Sequence, residues 1–120
     1  MITMFLKEKL IIFINGYWIG ICNYLILDYP FAYCNEQIKK YIDISFFIDT
    51  SLDITLARRI LRDMGNASGN DIRNDLTGYL KFARIAFVQM QKDILPSSDY
   101  IIDGTMSTEY IAREIINIII

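Results

Sequence analysis

The chain has 120 residues and a mass of 14.0 kDa, and 53% of its side chains are hydrophobic, which suits one folded domain with a substantial core. The 12 basic side chains against 14 acidic ones give a formal net charge of −2, which argues against binding to nucleic acid through a basic surface. The absence of histidine excludes Ser-His-Asp and Cys-His catalysis and any zinc site that needs histidine. Cys22 and Cys34 are too few for a four-thiolate metal site, and we expect both to be buried, reduced thiols of a cytoplasmic protein rather than a disulfide.

Residues 10–27 form an uncharged stretch, LIIFINGYWIGICNYLIL, which two lysines precede. Its length is at the lower limit for a membrane-spanning helix, and a basic flank is typical of a membrane anchor. However, Asn15 and Asn23 lie inside the stretch, and Gly16 and Gly20 divide it into short pieces. Because buried strands also appear as continuous apolar runs, we favour two strands joined by a turn near residues 16–20. A small membrane-anchored protein is the alternative.

The remainder of the chain alternates between short apolar runs and helical patterns. Strands are predicted at residues 24–27, 44–48 and 100–102. Helices are predicted at residues 35–41, 52–64, 71–93 and from 108 onward, and the candidate N-caps are Asn35, Thr50 or Ser51, and Ser107 or Thr108. Residues 65–70 (GNASGN) are predicted to be a polar loop, and Pro96 ends the third helix.

This order of elements predicts an α/β domain with a parallel sheet flanked by helices. Sheets of this kind bind their ligands at the C-terminal ends of the strands. An acidic residue directly follows each of the three strands, and these residues are Asp28, Asp49 and Asp103. We therefore expect the three carboxylates to lie at one edge of the sheet.

Asp28 comes directly after the apolar run YLIL. In nucleotide phosphotransferases a carboxylate at such a place holds a metal-bound water or polarises a nucleophile. The alternative is that Asp28 caps a helix or lies in a solvated turn.

The helix predicted after residue 51 carries the motif ARRILRD. Arg58 and Arg62 are four residues apart and share a face, so both guanidinium groups can approach one anion. Phosphoryl transfer needs such cations to offset the charge of the transferred group. Ion pairs with Asp53 and Asp63 are the alternative. The following loop, residues 65–70, suits a mobile lid but contains no basic residue.

From residue 23 to residue 120 the sequence resembles the uridine/cytidine kinase type of P-loop kinase. The motifs that carry the likeness are YLILDYPFAY, FFIDTSLDITLARRILRD, GYLKFARIAF and SDYIIDG. The resemblance implies a three-layer α/β fold around a parallel five-stranded sheet, and ATP-dependent phosphorylation of a small hydroxyl substrate with Mg²⁺. It also implies that Asp28 serves in metal binding and catalysis. It assigns phosphate binding to Arg58, Arg59 and Arg62, of which Arg58 and Arg62 are the preferred candidates.

The chain also departs from the pattern of that family. The motif G-x-x-x-x-G-K-[ST] does not occur in the 120 residues, and the nearest segment, IIFINGYWIG, lacks the lysine and the hydroxyl residue. The acidic residue that serves as base in the family has no counterpart, Tyr29 replaces a glycine, and Ser68-Gly69-Asn70-Asp71 replaces the Arg-Gly-Arg-Asp of the lid. The chain therefore resembles the C-terminal, truncated part of such a kinase or a degenerate copy. We expect little or no ATP turnover from it alone.

We divide the chain into an apolar N-terminal segment, residues 1–22, and a kinase-like domain, residues 23–120. In the family's fold, the strand that bears the phosphate loop lies between the strands predicted here at 24–27 and 44–48. We expect residues 10–14 to fill this place, because two central strands would otherwise have unpaired amides. Direct pairing of those strands and completion of the sheet by a second copy of the chain are the alternatives. The competing function is a non-catalytic interaction protein on the same fold.

Overall fold

A computed structural model describes residues 2–12, 19–28 and 34–120 of the chain. The strands are β1 (Ile2–Ile12), β2 (Ile19–Asp28), β3 (Ile44–Asp49) and β4 (Tyr100–Asp103). The helices are α1 (Glu36–Lys39), α2 (Leu52–Asp63), α3 (Gly69–Gly78), α4 (Arg84–Ile94) and α5 (Thr108–Ile119). A π-helical turn at Tyr79–Ala83 joins α3 to α4, and a short 3₁₀ turn at Leu95–Ser97 follows α4. Each strand and helix predicted from residue 24 onward is therefore present.

The described strands form one four-stranded sheet in the order β2-β1-β3-β4. Strands β3 and β4 are parallel, with Asp49 opposite Asp103, and helices α2 to α4 make the crossover between them. Strand β1 is antiparallel to both of its neighbours, so β2 points in the same direction as β3 and β4. These pairings confirm the α/β class and the common direction of the three strands that end in Asp28, Asp49 and Asp103.

The N-terminal part of the sheet differs from the expectation. The two strands predicted within residues 10–27 exist as a hairpin of β1 and β2, and most of the predicted turn lies outside the described residues. Strand β1 does lie between β2 and β3, but residues 2–5, and not residues 10–12, pair with β3. The prediction that residues 10–14 fill this place was therefore wrong in its register, and residues 13 and 14 lie outside the described part. Consecutive strands with a short connection pair antiparallel, which explains why β1 and β2 run in opposite directions.

The alternative prediction for residues 10–27 was a membrane-spanning helix. Within the described part of the chain, no helix combines the length and the apolar character needed to cross a bilayer.

Two hydrophobic clusters cover the two faces of β3, because successive strand residues point to opposite sides. Phe47 packs with the buried Ile94 of α4 and with residues of α1 and its neighbourhood. Phe46 packs with the buried Ile102 of β4 and with the apolar face of α5, namely Ile111, Ile115, Ile118 and Ile119. The sheet thus lies between two helical layers. Tyr110 of α5 lies outside this cluster and is 41% exposed.

Hydrogen bonds at the helix N-termini explain where the helices begin. The side chains of Asn35 and Ser107 accept backbone N–H bonds at the starts of α1 and α5, as predicted. Ser68 and Asp71 form a reciprocal capping box, so α3 begins at Gly69 and the polar loop is shorter than predicted. Ser51 is the residue before α2, but its side chain makes no capping bond.

Strand β4 has only four residues and is fixed to β3 at both ends. Before the strand, the amide and hydroxyl of fully buried Ser45 both donate to Asp99 Oδ2, at 2.8 and 2.9 Å, and the Asp99 amide donates back to Ser45 Oγ at 3.0 Å. After the strand, the Gly104 amide donates to the Asp49 carbonyl at 2.7 Å. A side chain at position 104 would overlap the Thr50 hydroxyl and come within 2.9 Å of an Ile48 methyl group. The close approach of the two chain segments therefore requires glycine.

We predict that Gly104→Ala lowers the free energy of unfolding by about 1–3 kcal/mol, because the added methyl group forces apart two packed segments. The measurement is chemical denaturation followed by circular dichroism. The matched control is Gly65→Ala, since a Cβ at Gly65 has no neighbour within 4 Å. Equal stability losses in the two variants would contradict the account of Gly104.

Candidate functional site

A cleft of about 480 Å³ opens at the C-terminal ends of β3 and β4. Asp49 and Thr50 from the end of β3 and Gly104 from the end of β4 lie in its wall. Helix α2 contributes the three arginines of the ARRILRD motif, which are Arg58, Arg59 and Arg62. Apolar residues make up a further part of the lining, namely Phe47, Ile48, Leu52, Phe87, Met90 and Ile111. The cleft thus combines an apolar wall with a cationic side, at the edge of the sheet where α/β proteins bind ligands.

The helical period of α2 explains how the arginines reach the cleft. Leu52, Leu56 and Ile60 recur every four residues and are half-buried, which fixes the rotation of the helix. The three arginines occupy the neighbouring side. Leu61, the residue after Ile60, lies off this packed side and is 81% exposed.

Arg58 connects α2 to the turn between β4 and α5. Its guanidinium donates hydrogen bonds to the Gly104 carbonyl at 2.7 Å and to the Thr105 carbonyl at 3.3 Å. Both acceptors are neutral, so these bonds position the group without cancelling its charge. Arg58 therefore supports the turn that contains Gly104 and also presents a cation to the cleft.

The other two arginines each form a two-point ion pair. Arg59 donates to both carboxylate oxygens of Asp75 on α3, a partner that sequence spacing did not indicate. Arg62 donates to both oxygens of Asp63, at 2.6 and 2.9 Å, while its own side chain is 75% exposed. The ion-pair alternative is confirmed for Asp63. For Asp53, the hydrogen bond from Ser51 is the main cause that lowers the pKa of the carboxyl.

The acidic residues at the ends of β3 and β4 serve different purposes. Asp49 lies in the cleft, where Gln91 Nε2 of α4 donates to its Oδ1 at 3.0 Å. Asp103 Oδ1 accepts from the Thr105 hydroxyl at 2.6 Å and from the Thr105 amide at 2.8 Å, and these bonds lower the pKa of Asp103. Asp103 therefore shapes the turn after β4, whereas Asp49 faces the site.

Asp28 is not brought to the cleft. It ends β2, the edge strand on the far side of β1, and its side chain is exposed. Asp28 is opposite Thr3 of β1, and Thr3 is opposite Phe46 of β3. Asp28 therefore lies at the level of Phe46 in the sheet and not at the level of Asp49, which ends β3. Among the residues the structure describes, no group of three or more acidic or cysteine side chains is arranged to hold a metal ion. The structure therefore gathers Arg58, Arg59 and Arg62 and leaves Asp28 apart.

Sequence reasoning missed the roles of Ser45, near the start of β3 and away from the cleft, and of Gln91, which lies at the cleft. Ser45 is a polar residue inside the apolar run ISFFI, which was a signal for a buried hydrogen-bonding role. Gln91 belongs to no motif, and only the packing of α4 against β3 shows its contact with Asp49.

Cys34 is a free thiol as expected, but it is exposed rather than buried, because it lies at the polar start of α1.

Fold and site together define an α/β domain with a cationic cleft at the ends of parallel strands, an arrangement suited to phosphate groups. The model of the Phosphoribulokinase / Uridine kinase family matches residues 22–111, so the chain belongs to this family.

The relatives of this chain among characterised proteins have names that agree with the family. The chain is 33% identical over 95 residues to a protein named uridine kinase from Schizosaccharomyces pombe, covering 79% of this chain and 21% of that protein. It is 32% identical over 82 residues to the uridine/cytidine kinase UKL1, chloroplastic, of Arabidopsis thaliana, covering 68% and 16%. It is 36% identical over 76 residues to a uridine kinase of Cronobacter sakazakii, covering 63% and 34%. The chain thus spans about a third or less of the length of each of these relatives. No solved structure matches it.

We predict that the Arg59–Asp75 ion pair makes stability depend on pH in a defined direction. The Arg59 hydrogen bonds hold the pKa of the Asp75 carboxyl below its usual value. The stabilisation is therefore complete above the unfolded pKa of about 3.9 and is lost as the pH falls through the lower folded pKa. Wild type should exceed Asp75→Asn in stability at pH 7, and the difference should shrink below about pH 4.

The measurement is the unfolding free energy of both proteins between pH 7 and pH 2.5. The control repeats the comparison in an Arg59→Gln background, where the pH-dependent difference should vanish. A difference between wild type and Asp75→Asn that grows as the pH falls would contradict the assignment.

Proposed function

We propose that this chain is the phosphate-binding, C-terminal portion or a degenerate copy of a uridine kinase-like, ATP-dependent phosphotransferase, with little turnover by itself. The observation that carries the proposal is the placement of three arginines of one motif on a cleft at the ends of β3 and β4. Family membership supports the reaction class.

The three guanidinium groups suit phosphate in different ways. Arg58 is held in place by two carbonyl oxygens and offers a fixed positive charge. Arg62 is largely exposed and pairs with an exposed carboxylate next to it in sequence, so it can turn toward a bound anion at small cost. A planar guanidinium binds two phosphate oxygens at once, which orients the group as well as neutralising its charge.

The family implies ATP and Mg²⁺, and the described residues fit these two unequally. The arginines fit the phosphate groups of a nucleotide, and the apolar wall of the cleft fits its less polar part. For the metal, the described part of the chain has no cluster of ligands, and Asp28 lies away from the arginines. The role of Asp28 in metal binding and catalysis stays a prediction.

Turnover of ATP needs more than cations. The positioning of the phosphates accounts for most of the catalysis in phosphoryl transfer, and the 120 residues contain no G-x-x-x-x-G-K-[ST] motif to supply it. Binding of phosphate groups and catalysis of their transfer are therefore separable in this chain.

We predict that the purified chain binds ATP or pyrophosphate but turns over ATP with uridine or cytidine at no more than background rate. Binding is measured by titration calorimetry and turnover by a coupled assay. Arg62→Gln should weaken pyrophosphate binding by about fivefold, the effect of an ordinary exposed ion pair.

The matched control for this experiment is Arg84→Gln, because Arg84 is also exposed but begins α4 outside the cleft. An equal loss in both variants would show that only net charge matters. Failure of the chain to bind either anion would refute the proposed function, and robust turnover would refute the loss of activity.

A further inference from the structure

The Arg59–Asp75 ion pair uses the same donors that a phosphate ligand needs. Arg59 lies in the lining of the cleft, and both of its terminal nitrogens donate to the two oxygens of Asp75. The two side chains are 35% and 29% exposed, so a dissolved anion can reach the pair.

A carboxylate and a phosphate group present similar pairs of oxygens to a guanidinium, and each binds it in the same two-point manner. Asp75 occupies one N–H group of each terminal nitrogen and offsets the positive charge of Arg59, so a phosphate group gains this pair of donors and the full charge only by displacing it. Asp75 and a phosphate group in the cleft are therefore competitors for this side chain.

The other two arginines differ from Arg59, one because its acceptors carry no charge and the other because its carboxylate competitor lies beside it on the same helix. Arg58 donates to backbone carbonyls, which carry no charge. Arg62 pairs with Asp63, its sequence neighbour at the end of the same helix. Asp75 instead comes from a different helix, α3. Helix α3 has no fully buried residue, and the Arg59–Asp75 ion pair connects it to α2.

We propose that Asp75 is an affinity-determining residue of the cleft, which acts as an internal competitor for phosphate at Arg59. This inference rests on the proposed function of the cleft as a phosphate site. It goes further in assigning to α3 a residue that weakens the site in the wild-type chain.

The test is to measure the affinity of the full chain and its variants for inorganic pyrophosphate by titration calorimetry at pH 7. Asp75→Asn should raise the affinity about fivefold, the factor that corresponds to an exposed ion pair of ordinary strength. Asp75→Glu, which keeps the charge, should stay close to wild type. The matched control is Asp93→Asn on α4, which removes the same charge outside the cleft and should leave the affinity nearly unchanged.

A second comparison separates competition from a general effect on charge or folding. In an Arg59→Gln background, Asp75→Asn should no longer raise the affinity, because the contested donors are gone. Circular dichroism checks the fold of each variant, and Asp75→Ser replaces Asp75→Asn if the latter does not fold.

The possible outcomes separate this inference from the proposed function. If wild type binds pyrophosphate and Asp75→Asn binds it equally or more weakly, the inference is overturned and the phosphate site stands. If only Asp75→Asn binds, the inference is supported and the wild-type chain lacks the proposed function. If neither binds, both are overturned.

Discussion

The short parallel strand β4 depends on hydrogen bonds at its two ends, and the cleft depends on β4. At one end buried Ser45 and Asp99 exchange three hydrogen bonds, and at the other the Gly104 amide donates to the Asp49 carbonyl. Arg58 then donates to the carbonyl of the same glycine. One glycine therefore joins the edge of the sheet, the turn before α5 and the cationic side of α2. Any change that separates these segments alters the fold and the site together.

The positive charges of the cleft are largely offset by nearby carboxylates, so the cleft is not a simple cationic binding site. Two of the three arginines have carboxylate partners, and Asp49 adds a negative charge to the wall. Only Arg58, among the cleft residues described, is held by neutral acceptors. A phosphate ligand must therefore displace carboxylates to use Arg59 and Arg62, which favours modest affinity and makes the displaced residues as important as the arginines.

Much of the fold and part of the site followed from the sequence. Period and composition located β3, β4 and α5, and the motif ARRILRD identified the arginines that line the cleft. The antiparallel direction of β1 could not be predicted, because a run of apolar residues gives no information about the direction or the register in which the strand pairs. The separation of Asp28 from Asp49 follows from that same strand, which inserts between β2 and β3. Asp75 and Gln91 were missed because their partners are distant in sequence and no local pattern marks them.

The most direct test of the central claim is an NMR titration of the ¹⁵N-labelled chain with pyrophosphate, since it reports where an anion binds without requiring catalysis. The account predicts that the largest shifts occur at the amides of residues 49–50, 58–62 and 104–105, which surround the cleft. Shifts concentrated near Asp28 on β2, or spread evenly over the surface, would contradict it.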